Sequence, residues 1–178
     1  MKNIAAPASL SGAPLAELKS WLSITTNGED DLLTTLVASA LALCERFIGV
    51  VPLKSEVRET VLPSLLPQPL KAGPFISLTG AEAFEGLQRR ELSSGEYRID
   101  LGSDGMASFS LPELIGEPQI EVTYLAGLAS EWQEIDEGLR QGVIRHAAHL
   151  YREREAAGAA PLPASIAALW RPWRRLRL

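Results

Sequence analysis

The chain has 178 residues, 46 % of them hydrophobic, a mean hydropathy of +0.05 and a formal net charge of −5. That is enough for one compact domain, or for a helical domain with a smaller insert, and no apolar run approaches the ~18 residues needed to cross a bilayer. A single cysteine, Cys44, excludes an intrachain disulfide, the two histidines form no Cys/His zinc pattern, and the first residues lack the apolar stretch of a signal peptide.

Residues 1–12 are small and polar and are expected to form a mobile arm. A short helix fits 14–22, with Pro14 in its first turn and Leu15, Leu18 and Leu22 on one stripe. Asn27 is the expected cap of the next helix. Glu29, Asp30 and Asp31 place negative charge at the positive end of its dipole, a more ordinary role than a metal cluster. This second helix, 30–48, is the clearest element. Leu32, Leu33, Leu36, Val37, Ala40, Leu43, Cys44 and Phe47 share one sector, so Cys44 reads as a buried thiol rather than a nucleophile. The opposite side carries Thr34, Thr35, Ala38 and Ala42, with charge only near its end. Small side chains permit close approach, so this face is a candidate subunit interface. Gly49 supplies the helix stop.

From about 54 to 124 the period changes from helical to two-residue. Val57 and Val61, then 74–78, then Tyr97, Ile99 and Leu101, then Phe109 and Leu111, then Ile120, Val122 and Tyr124 alternate with polar neighbours. Thr79-Gly80, Ser94-Gly95 and Asp104-Gly105 are the expected turns between strands. The pattern predicts a small antiparallel sheet or partly open barrel with one wet face. Helical spacing returns with Leu139, Val143, Ala147, Leu150 and Tyr151, predicting a third helix over 135–154 that ends before Gly158 and Pro161. A last short helix fits 163–170. The fold class is therefore α+β: a small helical bundle (1–53 and 125–178) with a strand-rich antiparallel insert (54–124) between the second and third helices.

The charge is uneven. Residues 1–144 hold 10 Lys/Arg and 20 Asp/Glu, a balance of −10, whereas 145–178 hold 7 Arg and 2 Glu, a balance of +5. The end of the chain combines Trp170, Arg171, Trp173, Arg174, Arg175 and Arg177, interrupted by Pro172. Arginines neutralise phosphates and indoles stack on bases, but the rest of the chain is acidic and repels nucleic acid. Trp and Arg are also the commonest anchors of protein interfaces, which makes a protein the favoured partner of this arm.

Nothing in the sequence marks a catalytic centre. His146 and His149 lie three apart on the third helix, a spacing open to a shared metal. No third ligand is evident in the same turn, and both read as helix-surface histidines. The run from Gly80 to Gly86 lacks the lysine and spacing of a phosphate loop, and Ser93-Ser94-Gly95 is not the Gly-x-Ser-x-Gly of a nucleophile elbow. No carboxylate is marked as one of a catalytic pair.

Three segments carry a resemblance. The first is Leu15-Ala16-Glu17-Leu18-Lys19-Ser20-Trp21-Leu22-Ser23-Ile24 with Glu29-Asp30-Asp31-Leu32-Leu33 and the Ala-rich helix to Phe47-Ile48-Gly49. The second is Val122-Thr123-Tyr124-Leu125-Ala126-Gly127. The third runs from Leu139 to Glu155, with Pro163 through the Arg-rich end. In order and spacing the chain resembles the head–tail connector, or adaptor, proteins of long-tailed phages and of phage-derived gene transfer agents.

The resemblance implies a non-enzymatic virion structural protein without cofactor or metal. It is made in the bacterial cytoplasm and assembled into the neck of a phage-like particle. There the family forms a homo-oligomeric, typically dodecameric ring around the DNA channel, which DNA crosses without specific binding. Its neighbours are the portal above and a stopper or other tail-side neck protein below, and no membrane is involved. Family C-terminal segments reach the portal, which assigns Trp170, Arg171, Trp173, Arg174, Arg175 and Arg177 to portal binding; Thr34, Thr35, Ala38 and Ala42 remain the expected ring contact. Smaller members of the family lack the strand-rich insert. Two alternatives stay open at this level: a stopper or tail terminator of the same neck, and an α+β ligand-binding domain or enzyme with an unrecognised site.

Overall fold

The computed structural model describes residues 2–6, 10, 12–153 and 162–175. The chain divides into two compact units, one built from 1–8 and 53–128, the other from 9–52 and 129–178. The first is all strand and the second all helix, and the fold is α+β.

In the strand unit, β1 (Lys2–Ala6), β2 (Ser55–Val61), β8 (Gln119–Ala126), β4 (Phe75–Glu85) and β5 (Gln88–Glu91) form an antiparallel sheet in the order β1-β2-β8-β4-β5. The strands β3 (Gln68–Pro69), β7 (Ala107–Ser110) and β6 (Arg98–Leu101) form a second, in the order β3-β7-β6. Alternation sets the inner face. Val57 on β2, Ala81 and Ala83 on β4, and Ile120, Val122, Tyr124 and Ala126 on β8 are buried, while Glu56, Arg58, Glu82 and Glu121 turn to the other side. Two departures from the sequence reading have simple causes. Lys2–Ala6, expected as a mobile arm, pairs with β2 as an edge strand. Thr79-Gly80, expected as a turn, lies within β4, where a register shift between Leu78 and Gly80 absorbs the glycine as an irregularity in the ladder with β8.

The interior of this unit holds one buried carboxylate. Glu59 is 1 % exposed, and Val122 is its register partner. The Tyr124 hydroxyl donates to its Oε2 at 2.9 Å and the Lys71 amide donates to both oxygens at 2.8 and 3.1 Å. Tyr124 in turn accepts from the amide of Ala72, just beyond β3, at 3.1 Å. This network ties the two sheets across their common core. Burial, with Glu59 alongside, holds the Tyr124 phenol well above its ordinary range. Gly127 closes β8 because its backbone passes against that of Lys54, leaving no room for a Cβ.

In the helical unit, α1 (Ala13–Leu22), α2 (Asp30–Ile48), α3 (Glu137–Arg152) and α4 (Ala164–Trp170) share one core, with 3-10 turns at Trp132–Glu134 and Arg171–Trp173. The apolar stripe of α2 buries Leu33, Val37, Ala40, Cys44 and Ile48 against Leu139, Val143, Ile144 and Ala147 of α3 and Leu15 and Leu18 of α1. Burial, with Glu45 beside it, pushes the Cys44 thiol up to about 12, so it is an inert core group. Asn27 does not cap α2. Glu29 occupies the cap position without a side-chain capping bond, its Oε2 instead accepting from the Tyr151 hydroxyl at 2.6 Å, and the Asn27 side chain accepts from Lys19, which also bridges to Asp30 at 2.7 Å. The α2 C-terminus ends as expected on Gly49 in the left-handed region, φ +81°.

Candidate assembly surfaces

The outward face of α2 is smooth. Thr35, Ala38 and Ala42 are exposed and Thr34 is half-buried. The hydroxyls fold back on their own helix: Thr35 donates to the Asp31 carbonyl and Ser39 to the Thr35 carbonyl, each at 2.9 Å. Between Asp31 and Glu45 this face therefore carries no charge, and beyond it the Arg46 guanidinium lies back on the Ala42 carbonyl at 3.3 Å. Leu32, assigned to the buried sector by periodicity, is 41 % exposed and borders the same face. The four residues expected at a subunit contact thus lie together on one free helix surface.

The C-terminal segment is built differently from the expectation. Trp170, read as an exposed anchor, is fully buried within the helical unit. Its Nε1 donates to the Leu139 carbonyl at 3.2 Å, and the indole fills a slot on α3 that exists because residue 142 is glycine. The Phe47 ring tilts against it at 5.8 Å and His146 meets it nearly edge-on at 6.2 Å. His146, expected on the helix surface, is 3 % exposed for the same reason: α4 covers that flank of α3. Its Nδ1 has no hydrogen-bond partner among the described residues. Burial, then the nearby His149, holds its pKa below the ordinary value of 6.5. Beyond α4 the Arg175 amide donates to the Ile48 carbonyl at 2.8 Å, satisfying an orphan group at the end of α2. Arg171, Trp173 and Arg174 are exposed, with the Arg174 guanidinium 5.7 Å from the Phe47 ring centroid. Arg177 lies outside the described residues. Trp170 therefore pins the segment to its own unit, and the pinned segment displays Arg171, Trp173 and Arg174.

Three further surfaces escaped the sequence reading. On the helical unit Trp21 is 42 % exposed, with the Arg145 guanidinium 5.4 Å from its ring centroid. On the strand unit the wet face of the larger sheet is a lattice of ion pairs. Arg89 bridges Glu82 and Glu121 at 2.8 and 2.7 Å and lies 5.1 Å from the Phe84 ring centroid, while on the opposite side of β5 Arg90, in register with the buried Ala83, bridges Glu96 and Glu117 at 2.7 and 2.9 Å. The bonds from Ser93 and Arg90 hold the Glu96 carboxyl down to about 2. Shallow depressions of about 480 and 510 Å³ flank these arginines, and charged side chains dominate their walls. The third surface is the loop from Leu62 to Pro67, whose Leu62, Leu65 and Leu66 are 63 %, 54 % and 75 % exposed. Its signal was present in Val61-Leu62-Pro63-Ser64-Leu65-Leu66-Pro67-Gln68-Pro69-Leu70, ten residues without a charge. Among the described residues no group of three or more His, Cys, Asp or Glu is placed to hold a metal ion, and no helix is long and apolar enough to cross a membrane.

No protein-family model and no curated protein sequence matches the chain. Solved structures do. The chain is similar over its whole length to one described as "Neck of empty GTA particle computed with C6 symmetry", with a TM-score of 0.80 and 21 % identity, covering 100 % of this chain and 97 % of that one. It is similar to a second, "Neck of native GTA particle computed with C12 symmetry", with a TM-score of 0.76, 22 % identity and the same coverage. A third, "Virion of native gene transfer agent (GTA) particle", matches with a TM-score of 0.76 at 21 % identity, again covering 100 % and 97 %. At these identities the likeness is one of fold, and it extends through both units.

Proposed function

We propose that this chain is a non-enzymatic structural subunit of the neck of a gene-transfer-agent-like or long-tailed-phage-like particle, and that within the neck it is the adaptor. Copies of it form a ring, dodecameric in this reading, between the portal and the tail-side neck protein. The observation that carries the reading is the end-to-end correspondence of fold with gene transfer agent neck chains, strand unit included. A closed ring needs two different faces on each copy, meeting head to tail. The smooth face at Thr34, Thr35, Ala38 and Ala42 supplies one surface of small side chains onto which a neighbour packs closely.

The arm formed by Arg171, Trp173, Arg174 and Arg175 is held in position by Trp170 rather than reaching out through it, and with Arg177 it is the portal contact. The acidic balance of the chain suits a channel wall, since like charge lets a duplex slide without sticking. The test is to purify particles from the producing cell, identify this chain by mass spectrometry and locate it by cryo-electron microscopy. A ring of this fold directly beneath the portal is the expected result. Absence from the particle, or a position in the capsid shell or tail tip, overturns the neck reading; a neck ring that does not touch the portal overturns the adaptor assignment alone.

A further inference from the structure

The loop between β2 and β3 presents apolar side chains on a backbone that is already fixed. Ser64 is its centre: its Oγ accepts from the Leu66 amide and donates to the Leu66 carbonyl, both at 3.0 Å. The Ser64 carbonyl accepts from the Leu111 amide at 2.8 Å, tying the loop to the chain just after β7. At the other end the Gln68 side-chain Nε2 donates to the Leu62 carbonyl at 2.6 Å. Prolines 63, 67 and 69 restrict the backbone further. On this frame Leu62, Leu65 and Leu66 stand more than half bare, and Leu114, three residues past the Leu111 tie, is 66 % exposed. A leucine cluster on a rigid loop loses little entropy on binding and cannot turn inward to hide.

The cluster does not fit either depression of its own strand unit. Charged side chains dominate the walls of both depressions there, and burying leucine against unpaired charge is unfavourable. Its size also speaks. Three loop leucines present roughly a few hundred Å², well below the ~800 Å² per partner that holds an isolated pair together. A contact this small becomes firm only when repeated, each new engagement being intramolecular once the first has formed. The occupant is therefore itself a ring.

We propose that the loop at Leu62, Leu65 and Leu66 is the docking knob of this chain for the tail-side ring of the neck, inserting once per subunit into an uncharged apolar cleft of that protein. This rests on the adaptor reading, in which the basic C-terminal arm takes the portal. A basic arm and an uncharged leucine knob suit two different partners.

The experiment places Leu65→Ser/Leu66→Ser in the producing cell, purifies particles and counts heads with and without tails by electron microscopy. Immunoblotting of the heads gives the amount of this chain. Ile76→Ser is the control, since Ile76 is 46 % exposed at the end of β4 opposite the loop. The expected result is wild-type amounts of the double variant on heads, with tailed particles reduced about ten-fold or more, and normal particles from the control. Normal tailing by the double variant overturns the proposal. So does a soluble, folded double variant that is missing from heads, because the loop is then a ring or portal contact. Failure of the wild-type chain to appear on heads is a separate outcome that overturns the adaptor reading itself, and the docking assignment with it.

Discussion

Gly142 on α3 and Trp170 on α4 are fitted to one another: a Cβ on residue 142 would collide with the indole Nε1 and its ring neighbours. Glycine inside a helix costs about 1 kcal/mol relative to alanine, so Gly142→Ala on helix propensity alone should stabilise. The slot reverses the sign. Overpacking typically costs about 1–3 kcal/mol, and here it also strains the Trp170 bond to the Leu139 carbonyl. Gly142→Ala should lower the thermal midpoint and red-shift tryptophan emission. A raised midpoint with unchanged emission would show that the indole yields without loss.

Trp170 and Trp173 should behave as opposites. Removing the fully buried Trp170 leaves a cavity between α3 and Phe47, and Trp170→Ala should destabilise the protein by about 3–5 kcal/mol in urea unfolding. Trp173 is 39 % exposed, so Trp173→Ala should change stability little yet weaken retention on immobilised portal rings. Equal unfolding midpoints for the two variants would contradict the assigned roles.

Acid should loosen the helical unit through His146. Its folded pKa lies below the unfolded value of about 6.5, so the unfolded chain takes up the proton first. The contribution is fully present above about pH 6.5 and is lost as pH falls through the lowered folded pKa. Protection factors of 164–175, which correct for the slower intrinsic exchange in acid, should therefore fall on acidification. His146→Phe, which cannot be protonated, should flatten that dependence, and His149→Gln should leave most of it. An unchanged pH profile in His146→Phe would assign the effect to other groups.

Charge on the smooth α2 face should block assembly without unfolding. Ala38 is exposed, so Ala38→Arg should keep the monomer's circular dichroism and melting curve while native mass spectrometry shows loss of the ring. Rings of normal mass from this variant would remove the face from the contact.

Within the strand unit, Glu59→Ala leaves the Tyr124 hydroxyl and Lys71 amide without their acceptor. A loss of about 1–3 kcal/mol per orphaned group is expected. Pairing it with Tyr124→Phe should recover part of that loss, measurable as a non-additive double-mutant cycle in urea.

Much of this architecture follows from periodicity and punctuation. The α2 boundaries at Asp30 and Ile48, its stop at Gly49, the inner face of Ile120, Val122 and Tyr124, and the α+β class were legible because each rests on near-neighbour spacing. The strands β1 and β5 were not. Gln88–Glu91 is exposed along its whole length, so no alternation records it, and only the pairing partner makes it a strand. Thr79-Gly80 reads as a turn until β8 lies alongside and carries it on as a shifted ladder. The same reason governs the surfaces. Thr35, Ala38 and Ala42 could be placed on one free face because a single helix determines it. Trp170 and His146 were read as exposed because their cover comes from another helix: burial belongs to the assembled core, where α4 meets α3 over Gly142, and no local pattern encodes which residue will stand opposite.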